Sequence, residues 1–97
     1  MNKKFKNLNE VRKSIDNVDI RLVKLIAERE FYIKEALKFK IRKKQIIDKK
    51  RINVVLRRIK NSSKKYKASS LITERIWKLM IKNFIILENK LFKKPKK

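Results

Sequence analysis

The sequence predicts an all-α protein on three observations. It contains no glycine, its one proline is Pro95 near the C-terminus, and its apolar residues recur at steps of three and four. Glycine and proline are the usual helix breakers, so nothing interrupts a helix before the tail. Strand signals are missing as well. The expected architecture is a single helical domain over residues 1–97 with three helices, one long and two shorter.

Leu8, Val11, Ile15, Val18, Leu22 and Leu25 form the seam of an amphipathic first helix, and the pattern runs on to residue 40 or 41. Asn7 and Asn9 are candidate caps, and Arg42, Lys43 and Lys44 suit the negative C-terminal end. Such a helix would be about 50 Å long, more than the diameter of a compact chain of this size. Its seam therefore needs a partner, and a homodimer is expected. Asp48 is the natural cap of a second helix over residues 48–60, with Ile52, Val55, Leu56 and Ile59 on one side. Residues 61–70 read as a polar loop. Ser69 or Ser70 caps a third helix to residue 92, whose stretch 76–87 is apolar almost all round and belongs in the middle of an assembly. Residues 93–97 read as a frayed basic tail.

Composition bounds the function. At 42% hydrophobic residues the chain can form a core, and 97 residues allow one domain. The formal net charge of +22 points by itself to a polyanionic partner. However, 23 of the 31 basic residues are lysine, and isoleucine and asparagine are also abundant. All three have A/T-rich codons, so mutational bias accounts for part of the charge. The absence of Cys and His removes zinc and haem ligation, thiol nucleophiles and disulfides, and agrees with a reducing compartment. No apolar run reaches the roughly 18 residues that span a bilayer, and no signal-type segment opens the chain. The expectation is a cytoplasmic protein with no metal and no membrane partner.

Charges fall where apolar side chains are due. Arg29 and Lys40 continue the first seam and, eleven residues apart, share a face of a continuous helix. Arg12, seventeen residues before Arg29, is turned roughly 100° away, so a crossed or antiparallel partner helix would have to bring it to the same point. On the third helix Trp77, Ile81 and Phe84 lead to Glu88, an acid on an apolar line that is expected to be buried. Arg51 lies one turn after Asp48. Any one of these reads equally well as a snorkelling or register-setting side chain. Together, Arg12, Arg29, Lys40, Arg51 and Glu88 point to a site for an anionic small molecule. Asp16, one turn after Arg12, orients that arginine.

These residues resemble a known family. Residues 11–40, VRKSIDNVDIRLVKLIAEREFYIKEALKFK, are similar to the first helix of the all-helical, AroQ-class chorismate mutases and of the related isochorismate-pyruvate lyases. The likeness covers the opening at Arg12, Ile15, Asp16 and Asp19, the run into Arg29, and the closing Phe39 and Lys40. It continues through Asp48 and Arg51 and through residues 81–88, IKNFIILE, about 80 residues in all. The resemblance implies an intertwined homodimer with two equivalent sites, each completed by Arg12 of the other chain. It implies that Arg12 and Arg29 hold the two carboxylates of the substrate, that Arg51 contacts it from the second helix, and that Lys40 and Glu88 flank the ether oxygen of the breaking bond. Asp48, Ile52 and Phe84 join the substrate-binding set.

Three positions depart from the common pattern. Many mutases of the class carry Glu after the second-helix arginine, where this chain has Ile52, as in the lyase-like branch. Glu88 stands where others have Gln, and Phe84 where some have Ser. The implied reaction, chorismate to prephenate, is intramolecular and needs no nucleophile, metal or cofactor. Positioning and donors aimed at the ether oxygen would carry it. Isochorismate-pyruvate lyase is the near alternative. A basic nucleic-acid-binding protein is the distant one; it explains the charge but neither the inward Arg29, Lys40 and Glu88 nor the lack of a base-stacking motif.

Overall fold

The computed structural model describes residues 3–93; of the expected basic tail, all but Lys93 lies outside the described residues, as does Pro95. The described residues form three α-helices, α1 (Leu8–Leu37), α2 (Lys49–Lys65) and α3 (Ser70–Leu91), with a short 3₁₀ helix, Lys43–Ile46, between α1 and α2. The chain divides into two compact units, one running up to Tyr32 and the other from Ile33.

The first unit is essentially the first part of α1. Asn7 is the cap: its Oδ1 accepts from the Glu10 amide at 3.0 Å, and Glu10 Oε2 accepts from the Lys6 amide at 2.8 Å. Backbone donors that the helix cannot satisfy are thus met by side chains. The seam seen in the sequence is open to water, with Leu8 and Leu25 each 59% exposed and Ile15 and Leu22 about half exposed. An exposed leucine forgoes roughly 1.5–3 kcal/mol that burial would provide.

In the second unit α1 ends at Leu37, three to four residues short of the expected boundary. Its last carbonyls are taken by tight bonds from Lys38 to Glu35 (3.2 Å), Phe39 to Ala36 (3.1 Å) and Lys40 to Leu37 (3.1 Å). These span three residues rather than four, so the α geometry closes there and the chain turns. Lys40 therefore follows the helix instead of continuing its face. Arg42, Lys43 and Lys44 do not complement the end of α1; Arg42 caps the 3₁₀ helix that the other two begin.

Asp48 caps α2 as expected, its Oδ1 accepting from the Arg51 amide at 3.0 Å. The helix runs to Lys65, however, through half of the segment that reads as a loop. Ser63 explains the difference. Its side chain faces inward, where its hydroxyl donates to the Ile59 carbonyl at 2.7 Å and is hydrogen-bonded to the hydroxyl of Thr73 on α3. A polar residue thus becomes a helix-packing contact because both of its needs are met. Ser69, not Ser70, caps α3 by accepting from the Ile72 amide. Helices α2 and α3 pack together and the 3₁₀ helix packs on α3, burying Ile46 and Phe84. The outer apolar residues of α3, including Leu79 and Ile86, remain exposed.

The turn between α2 and α3 is a Schellman closure made without glycine. The Ala68 amide donates to the Ser63 carbonyl at 2.8 Å and that of Lys67 to Lys64 at 3.3 Å, with Lys67 at φ 58°. A side chain in the left-handed region costs about 1–2 kcal/mol, and glycine escapes it at an entropic penalty of about 0.5–1 kcal/mol. Lys67→Gly is accordingly expected to stabilise the chain by roughly 0.5–1 kcal/mol in denaturant unfolding, whereas Lys67→Ala, which keeps its Cβ, should bring no gain.

Candidate active site

The second unit contains a buried acid paired with a cation. Glu88 lies one turn beyond Phe84 on the inner face of α3, and its side chain is 7% exposed. Lys40 Nζ donates to Glu88 Oε2 at 2.9 Å, and the lysine side chain keeps 23% of its exposure. An isolated carboxylate in such a place would lose its hydration without return, so the ammonium is what makes burial tolerable. The two residues are 48 positions apart in sequence, and the tight end of α1 together with the 3₁₀ helix on α3 brings them together.

Lys40 also lines an open groove, together with Lys44, Gln45, Ile47, Asp48, Lys49 and Lys50. Four ammonium groups and one carboxylate give it a positive field suited to a small anion. Asp48 is already engaged at the start of α2, so it shapes the groove as a cap.

Of the candidate residues, Lys40 and Glu88 are in direct contact, with Phe84 buried one turn from Glu88. Arg51 is exposed on the first turn of α2, and Ile52, the next residue, is half-buried. Arg12 and Arg29 belong to the first unit, Arg12 exposed and Arg29 partly buried. Of the groove lysines only Lys40 stands out in the sequence as a site candidate, because among 23 lysines nothing marks Lys44, Lys49 or Lys50 for that role. Gln45 was also missed, although it is the one glutamine of the chain. Among the described residues no group of acidic side chains is arranged to hold a metal ion, and no helix is long and apolar enough to cross a membrane.

The described residues thus present a helical architecture and a cation-lined groove that shares Lys40 with a buried ion pair. The chain belongs to the chorismate mutase type II family, whose model matches residues 11–89. The matched stretch contains every candidate residue from Arg12 to Glu88. No curated protein matches the chain.

The pair can be tested by removing its members separately and together. Lys40→Met leaves the Glu88 carboxylate buried without its cation and is expected to destabilise the protein by ~2–3 kcal/mol, less than for a fully buried pair because Lys40 keeps some contact with water. Combining it with Glu88→Leu should recover most of that loss, as measured by urea unfolding. A double variant no more stable than Lys40→Met would show that the pair is not the source of the effect.

Proposed function

We propose that the protein is a chorismate mutase, converting chorismate to prephenate. The observation that carries this reading is the Lys40–Glu88 pair, whose lysine also lines a cationic groove, in a chain of this family. The rearrangement breaks the ether C–O bond as a C–C bond forms within one molecule, with no proton, metal or cofactor required. The protein's part is to hold a dianion in the reactive pose and to stabilise charge growing on the ether oxygen.

Lys40 supplies an N–H donor to that oxygen. Glu88 supplies a second donor when it carries a proton, and otherwise serves to aim Lys40. On this reading Arg12 and Arg29 hold the substrate carboxylates, with Arg12 donated by a second copy, and Arg51 makes a further contact. The exposed seam of α1 supports a homodimer, since Leu8, Ile15, Leu22 and Leu25 gain by being covered. Ile52, in the place of the hydroxyl-binding glutamate of many mutases, favours isochorismate-pyruvate lyase as the second reading. Phe84 and Asp48 then shape the pocket without taking part in bond making.

Purified protein offered chorismate and isochorismate separately distinguishes the two. Prephenate from chorismate is the expected product; salicylate and pyruvate from isochorismate alone would establish the lyase instead. Arg29→Ala and Lys40→Ala are each expected to lower kcat/KM by roughly 10²–10³-fold, the usual effect of losing one charge-stabilising donor. Arg12→Ala and Arg29→Ala, each inactive, should on mixing regain about a quarter of the wild-type activity if two equivalent sites share arginines across a two-fold dimer. A folded, active monomer in sedimentation would overturn the shared site.

A neutral replacement tests Glu88. Glu88→Gln keeps the shape and an N–H donor at that position and should stay active if Glu88 acts as a donor. An inactive Glu88→Gln enzyme would show that Glu88 acts through its charge.

A further inference from the structure

Lys40 lies outside any α-helix, yet its ammonium has a defined place against Glu88. The backbone on both sides accounts for this. Before it come the three tight bonds that close α1, the last of them from the Lys40 amide itself. After it, the side-chain oxygen of Gln45 accepts from two successive amides, those of Ile41 and Arg42, at 2.7 Å each. The Gln45 amide donates in turn to the Arg42 carbonyl at 3.0 Å. One amide oxygen has two lone pairs, and here both are used on neighbouring backbone donors. The next residue, Ile46, is 4% exposed and anchors the 3₁₀ helix on α3, the helix that carries Glu88. Gln45 also lines the groove beside Lys40.

We infer that Gln45 is a positioning residue: its side-chain oxygen clamps the Ile41 and Arg42 backbone and thereby fixes where the Lys40 ammonium sits in the groove, for the reaction proposed above, on which this inference rests. A neutral acceptor suits the place. A carboxylate would hold the same two amides but would add negative charge to a groove meant for an anion and compete for Lys40.

Two substitutions separate the clamp from general stability. Gln45→Met keeps the length and removes the acceptor, and Gln45→Glu keeps the acceptor. Amide hydrogen exchange at Ile41 and Arg42 should accelerate at least about tenfold in Gln45→Met and return towards wild type in Gln45→Glu. On the proposed substrate, Gln45→Met should lower kcat about ten- to a hundredfold with KM changed little, as expected when a catalytic group is misplaced rather than lost. Gln45→Glu should recover most of kcat while KM rises severalfold. Unchanged exchange in Gln45→Met would overturn the clamp, and faster exchange with unchanged kcat would overturn its positioning role.

Should the wild type turn over neither chorismate nor isochorismate, the proposed function fails, and a thermal-melt cycle decides the inference by itself. Gln45→Met should lower the melting temperature in the wild-type background by more than it does in Lys40→Met/Glu88→Leu, because the clamp acts through the ion pair. Equal shifts in the two backgrounds would show that Gln45 does not position Lys40.

Discussion

A carboxyl group on the buried face of a helix has to pair with a cation or take up a proton, and the second unit meets that demand at Glu88 with the Lys40 ammonium. Glu88 is buried in line with Phe84 on α3. The partner comes from 48 residues earlier, so the chain has to leave α1, turn, and lay a 3₁₀ helix on α3 for Lys40 to arrive. Helix α2 then starts from Asp48 at the other end of the same segment. The early end of α1 and the packing of Ile46 and the 3₁₀ helix on α3 accompany the arrival of Lys40 at Glu88.

An arrangement of this kind matches chemistry in which nothing is transferred. With no cysteine or histidine, the chain has neither a thiol nor an imidazole to offer as nucleophile or base. It does have fixed positive charge, and fixed charge is most effective where water is scarce and the donors need not move during the reaction. Membership of the chorismate mutase type II family fits this economy. The ammonium that makes burial of Glu88 tolerable belongs to a residue that also lines the groove.

Lysine abundance and the absence of glycine have local consequences. A lysine takes the left-handed position after α2 that glycine normally fills, and the turn keeps its two closing hydrogen bonds. Elsewhere the surplus hides information: the groove lysines look like any others in the sequence, and only their convergence on Lys40 and Asp48 distinguishes them.

The three helices, the cap at Asp48, the inward acid at Glu88 and, to within two candidates each, the caps that proved to be Asn7 and Ser69 were legible in the sequence, because each depends on spacing or on a residue type with a strong local preference. The places where α1 and α2 stop were not. Periodicity alone carried α1 to Lys40 and made Ser62 and Ser63 look like loop, since apolar spacing does not record which carbonyls a tight turn will take or whether a serine will find a partner on another helix. Those outcomes depend on atoms brought together from distant positions: Ser63 with Thr73, Gln45 with two amides ahead of it, Lys40 with Glu88. Local preference and pattern thus determined the elements and their charged candidates, while only tertiary packing decided that Lys40 leaves its helix to neutralise Glu88, because the cost of burying a charge is set by its neighbours in space.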